Sequence, residues 1–186
     1  MTLKLPEKLE DWIGFRFEHE AELVVERGAI MHWLEAVRDA NPVYWDDAVA
    51  EDITGGIIAP APMASTFATS YRWSPRRPEQ VWDIHGVEPD APRVWPRLPV
   101  EAHFSFKEFT GLKQGIVGSI EAEYYEPLRL GDRITVTSFI SKCGELRTNR
   151  LGTGRDWTAQ VEFRNQNGDM VSIDRFNFYC YNREAA

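Results

Sequence analysis

The stretch Asp39-Ala40-Asn41-Pro42-Val43-Tyr44-Trp45-Asp46 puts a carboxylate and a phenol five residues apart, around an Asn-Pro pair. A carboxylate can take or return a proton. A phenol with pKa near 10 stays protonated at neutral pH and serves as a hydrogen-bond donor. Asp39 falls where a helix is expected to end, and the macrodipole there disfavours negative charge. A carboxylate held at such a local cost is a candidate site residue. The plainer alternative is a helix C-terminus closed by an Asx/Pro stop. Gly55-Gly56-Ile57 is a second candidate, because it precedes the small-residue run Ile58-Ala59-Pro60-Ala61-Pro62-Met63-Ala64-Ser65. Two glycines free the backbone to approach a ligand at a helix N-terminus, where N–H groups favour a carbonyl oxygen or an anion. An ordinary turn into a helix is the competing account. His19, His32, His85 and His103 form no HxxxH or HExxH spacing, so no metal is expected. There is no GxSxG, Walker loop or GxGxxG, and Gly152-Thr153-Gly154 is too short to hold a dinucleotide.

These residues need a frame. The chain has 186 residues, 43% of them hydrophobic and 12% aromatic, enough for one domain with a sizeable core. A net charge of −8 makes nucleic acid and anionic membranes poor partners. Cys143 and Cys180 are far apart and predict free thiols in a reducing compartment. No apolar run approaches the roughly 20 residues of a membrane helix, and the N-terminus lacks a signal-peptide core. A cytoplasmic location is the expectation.

A short helix is expected around Leu9 to Ile13 and a strand over Glu20 to Glu26. Ile30, Trp33, Leu34 and Val37 then predict a helix that stops near Asn41-Pro42. Val43 to Thr54 reads as polar and irregular. Met63, Phe67 and Tyr71 recur every four residues among small side chains, the pattern of a buried helix that a curved sheet can approach closely. From about 74 to 115, repeated prolines and Trp73, Trp82 and Trp95 predict an ordered insertion, with a possible strand at Val100 to Phe106. Alternation at Ile116 to Tyr124, Ile134 to Ile140 and Trp157 to Phe163, an Asn-Gly turn within Asn165 to Asp169, and a returning strand over Met170 to Tyr181 give an α+β architecture.

Several of these segments, taken in order, resemble one family. Asp39-x-Asn41-Pro42-x-Tyr44 resembles the D-x-N-P-x-H motif of MaoC-like (R)-specific enoyl-CoA hydratases and dehydratases. The segment starting at Gly55-Gly56 resembles the start of their central helix, in the form of the FAS1-like dehydratase, or MaoC N-terminal, subgroup. Glu123 to Asp132 resembles their E-Y-x-x-P-L-R-x-G-D strand and turn, and Asn165 to Asp169 their closing hairpin. The resemblance spans roughly Glu20 to Tyr181. It implies a hot-dog fold, an antiparallel sheet wrapped around a central helix, a single unit pairing into a double hot dog. It also implies reversible hydration of a trans-2-enoyl thioester, with no cofactor.

Within that resemblance, Asp39 and Tyr44 occupy the catalytic positions. Asn41, Gly55, Gly56, Ile57, Pro60 and Trp73 are the expected substrate-binding residues. Two departures stand out. Tyr44 replaces the family's histidine. The helix position that supplies a backbone N–H to the enolate oxygen falls on Ala59-Pro60, and proline has no N–H. Losing a general base costs on the order of 10²–10⁴ in rate, and losing an oxyanion donor about 10²–10³. In this family paired hot dogs often divide labour. The chain resembles the half that accommodates the acyl group, with an acyl-CoA or acyl-carrier thioester as ligand and a MaoC-like subunit, or a second copy, as partner. A self-sufficient hydratase using Asp39 is the alternative, followed by a thioesterase or thioester-binding module.

Overall fold

Period-two burial builds the sheet. The computed structural model describes residues 4–70 and 98–183. Its strands are β1 (Phe17–Val24), β2 (Gln114–Tyr124), β3 (Arg133–Cys143), β4 (Arg147–Asn149), β5 (Gly152–Arg164) and β6 (Met170–Asn182). They form one antiparallel sheet in the order β1-β3-β5-β6-β2, with β4 paired to the start of β5. Ile134, Val136 and Ile140 on β3, and Trp157, Ala159, Val161 and Phe163 on β5, are all buried. Val136 sits opposite Phe163 and Ile140 opposite Ala159, so these side chains share one face. The Asn165 side chain accepts from the N–H groups of Asn167 and Asp169, both at 3.0 Å, and Gly168 has φ 87°, closing the expected hairpin.

Two clusters fill that face. One contains Ala21, Ile30, Leu34, Met63, Phe67 and Phe163. The other contains Trp12, Phe106, Ile140, Trp157, Phe178 and Cys180. Each large side chain taken out of water contributes about 1.5–3 kcal/mol, so both ends of the sheet are anchored independently.

The helices lie between β1 and β2. They depart from expectation in three places. Helix α1 (Arg27–Val37) buries Ile30 and Leu34, and it stops at Arg38, which adopts the left-handed conformation with φ 57°. Pro42 does not end this helix. It begins α2 (Pro42–Trp45), where its missing N–H costs nothing, and the Asn41 side chain caps it. The segment from Val43 to Thr54 is helical rather than irregular. In α3 (Asp47–Thr54) the Asp46 carboxylate caps the N-terminus by accepting from Ala48 at 2.9 Å and Val49 at 3.2 Å. The expected strand at Val100 to Phe106 is instead part of α5 (Glu101–Thr110), which buries Ala102, His103 and Phe106 at helical spacing and leaves Phe104 exposed.

The central segment forms a 3₁₀ turn at Ala61–Met63 and then α4 (Ala64–Phe67), with Met63, Ala64, Phe67 and Ala68 buried. Tyr71, Trp73, Trp82, His85 and Trp95 lie outside the described residues. Among the described residues, strand β2 pairs only with β6, and it is exposed along its whole length, including Ile120 and Tyr124. Among the described residues, no helix is long and apolar enough to cross a membrane, and no cluster of His, Cys, Asp or Glu could hold a metal ion.

Candidate active site

Asp39 follows the left-handed Arg38, and its own N–H donates to the Leu34 carbonyl at 3.0 Å. This closes α1 and turns the chain. One carboxylate oxygen of Asp39 accepts from the Asn41 N–H at 2.9 Å, and the Asp39 carbonyl accepts from the Trp45 indole at 2.7 Å. Asn41 in turn accepts from the Val43 N–H at 3.2 Å. The motif is thus a set of nested caps that hold Asp39 against α2. Tyr44 is half-buried and packs on the cluster that includes Ile57, Ala59 and Met63. Burial raises the Tyr44 phenol above its ordinary pKa, and the nearby Asp39 carboxylate raises it further. Tyr44 therefore keeps its proton at neutral pH and cannot act as a base.

The second half of the site runs from Gly55 to Met63. Gly55, with φ 68°, is the C-cap of α3, and Gly56 has φ 118°. The glycine pair thus ends α3 rather than opening the central helix. Ile57 is buried, Ile58 bridges to Arg129, and the Ala59 N–H donates to the Leu128 carbonyl at 2.8 Å. Pro60 is buried and flanks the 3₁₀ turn. Pro60 and Pro62 have no N–H, and the Met63 N–H is spent on the Pro60 carbonyl at 2.9 Å. Among residues 60–63 only Ala61 keeps an N–H for a ligand. These four residues therefore offer a developing enolate one donor rather than a pair.

The turn after β2 braces this segment. Asp132 is buried and accepts from the Arg129 N–H at 2.7 Å and from the Gln166 amide at 2.9 Å. The Arg129 guanidinium reaches the Gly55 carbonyl at 3.4 Å. The bracing by Trp45 and Arg129 was not anticipated from the sequence. An indole six residues after the carboxylate is a weak signal, and the Arg129 contact is long-range.

The structure therefore brings Asp39, Asn41 and Tyr44 together, and packs Tyr44 against the segment that holds Ile57. Trp73 lies outside the described residues. His103 is elsewhere. It is buried under α5, accepts from the Trp157 indole at 3.1 Å and stacks on Phe178 at 3.6 Å between ring centroids. Burial, and then the charge of Lys107, lower its pKa to about 4, so it is a neutral packing residue at pH 7.

Residues 11–173 match the family model described as the FAS1-like dehydratase domain region. The chain belongs to this MaoC-like dehydratase family. A relative from Thermomonospora curvata, a probable enoyl-CoA hydratase alpha subunit, is 27% identical over 91% of this chain and 49% of its own length. The 3-oxo-4,17-pregnadiene-20-carboxyl-CoA hydratase alpha subunit of Mycobacterium tuberculosis is 26% identical over 70% of this chain and 36% of its own. The chain spans half or less of the length of these relatives. Among solved structures, a chain of the ChsH1-ChsH2 complex from Mycobacterium tuberculosis superposes with TM-score 0.66 at 19% identity, covering 91% of this chain and 85% of that one. The MaoC-like dehydratase from Rhodospirillum rubrum superposes with TM-score 0.60 at 18% identity, covering 95% and 98%. The fold is the hot dog.

Proposed function

We propose that this chain is one half of an enoyl-CoA hydratase or 3-hydroxyacyl-thioester dehydratase, and that it supports the acyl group while a MaoC-like partner supplies the proton transfers. Hydration of a trans-2-enoyl thioester needs a base to take a proton from water as its oxygen bonds to C3. It also needs a donor for the enolate oxygen and a proton for C2. The observation that carries the proposal is the double loss within an intact frame. Tyr44 is a phenol with a raised pKa at the histidine position, and Pro60 and Pro62 leave Ala61 as the one N–H among residues 60–63 of the turn that should stabilise the enolate. The alpha-subunit names of the curated relatives and the two-chain ChsH1-ChsH2 complex support a subunit of a heteromer.

The test is an assay with a trans-2-enoyl-CoA, with this chain alone and with a MaoC-like subunit that retains D-x-N-P-x-H. The expected result is turnover only with the partner. A second reading has one observation in its favour: the Asp39 carboxylate lies near Tyr44 and has one oxygen outside the Asn41 hydrogen bond. On that reading Asp39 is the base of a self-sufficient enzyme, and Asp39→Asn abolishes turnover by the chain alone.

A further inference from the structure

A cleft at the far end of the sheet has no part in the site above. It lies where β4, the following turn and the end of β6 meet, has a volume of about 380 Å³, and is lined by Thr148, Asn149, Arg150, Gly152, Tyr181 and Arg183. The sequence builds this close meeting deliberately. A Cβ at Gly152 would overlap the Asn182 carbonyl oxygen, and one at Gly154 the Cys180 carbonyl oxygen. Only glycine lets the end of β6 press so closely on β5 here. Gly152-Thr153-Gly154 is therefore a strand-packing device, and the cleft is its by-product.

The chemistry of the lining is specific. In a chain of net charge −8, none of the described residues that line the cleft is acidic. Arg150 and Arg183 have no ion-pair or hydrogen-bond partner among the described residues. Neighbouring arginines differ: Arg147 is paired to Asp156 and lies over the Tyr179 ring, and Arg155 reaches Glu145. Guanidinium groups bind phosphate through paired N–H donors. Tyr181 adds an aromatic wall, stacked on Tyr179 with ring centroids 5.5 Å apart.

We infer that this cleft binds the phosphates of the thioester carrier. The inference rests on the proposed function, because that reading makes the ligand an acyl thioester. The cleft does not serve this chain's own motif. Gly152 and Phe163 are eleven residues apart on β5, roughly 35 Å at strand spacing, longer than a pantetheine arm. The outer edge of β2, unpaired among the described residues, explains which site it serves. Gln114 pairs with Tyr181 and Tyr124 with Ser172, so Gln114 marks the cleft end and Tyr124 the motif end of the sheet. Antiparallel pairing of two such edges sets the Tyr124 end of one strand beside the Gln114 end of the other. The partner's motif then comes alongside this chain's cleft.

Calorimetric titration of the full chain with CoA, adenosine 3′,5′-bisphosphate and 4′-phosphopantetheine tests this. The expected result is saturable binding of CoA that weakens with added salt and is lost at least about tenfold in the Arg150→Ala/Arg183→Ala variant, roughly 1.4 kcal/mol. Saturation by the bisphosphate assigns the nucleotide phosphates, and saturation by phosphopantetheine assigns the phosphate shared with an acyl carrier. Absence of saturable binding by all three, or binding untouched in a variant whose melting temperature is unchanged, overturns the inference. An N-acetylcysteamine enoyl thioester has no phosphate. Its turnover by the paired enzyme tests the proposed function separately, and is expected to be equal in wild type and variant.

Discussion

At the residue scale the case rests on proton positions. Tyr44 holds its proton more tightly than a free phenol, because burial and the Asp39 charge both disfavour the phenolate. Removing its hydroxyl should therefore matter little to chemistry. In the assembled enzyme, Tyr44→Phe is expected to change turnover by less than about threefold, against the 10²–10⁴ that a lost general base costs. Kinetics on the two complexes side by side check this, and a loss above about a hundredfold would give the phenol a chemical role. His103 sets a second expectation, for stability. Its folded pKa is about 4, while an unfolded histidine titrates near 6.5. The unfolded chain thus takes up the proton first as pH falls. The stability due to neutral His103 is complete above pH 6.5 and is lost progressively towards pH 4. Thermal melts at pH 7 and pH 5 should differ more in wild type than in His103→Gln, whose side-chain oxygen can still accept from the Trp157 indole. Equal differences would contradict the burial account.

At the scale of elements, legibility followed local signals. The strands were readable because Ile134, Val136 and Ile140 alternate in sequence and are buried in space. The Asn165–Asp169 turn was readable because Asn-Gly chemistry is local. Helix α5 was not. Ala102, Phe104 and Phe106 mimic a strand face, and only packing on β3 shows that His103 is buried in place of Phe104. The short helices α2 and α3 were hidden for another reason. Their stability comes from the Asn41 and Asp46 caps rather than from an apolar stripe. Asn-Pro marked the right place in the candidate site but with the wrong sense, since proline is as suited to a first helical position as to a stop. Gly152-Thr153-Gly154 carried a meaning no motif scan supplies. Gly152→Ala should force β6 away from β5 and cost at least about 2 kcal/mol. That is a fall of about 4–8 °C in melting temperature for a chain of this size. An unchanged melting curve would show that the strand crossing gives way easily.

At the scale of the whole molecule, β2 is the unfinished part. Its alternation identified it as a strand, yet Ile116, Val117, Ile120 and Tyr124 remain exposed on a sheet edge that no other described strand pairs. Such an edge is a template for pairing with another chain. Ile120→Lys places a charge in the middle of it and should shift the paired species towards the single chain in sedimentation velocity, while the melting temperature of the single chain stays unchanged. A variant that pairs as wild type does would move the interface elsewhere. Pairing matters because neither half of the proposed reaction is complete here: the carboxylate has a protonated phenol, not a histidine, beside it, and residues 60–63 keep a single N–H for a ligand, that of Ala61. The most direct test is the rate of trans-2-enoyl-CoA hydration, followed as loss of enoyl absorbance, by this chain alone and with a MaoC-like subunit that carries an intact D-x-N-P-x-H motif. The predicted result is a rate for the chain alone at least about a hundredfold below that of the pair. Turnover by the chain alone at the rate of the pair would contradict the account.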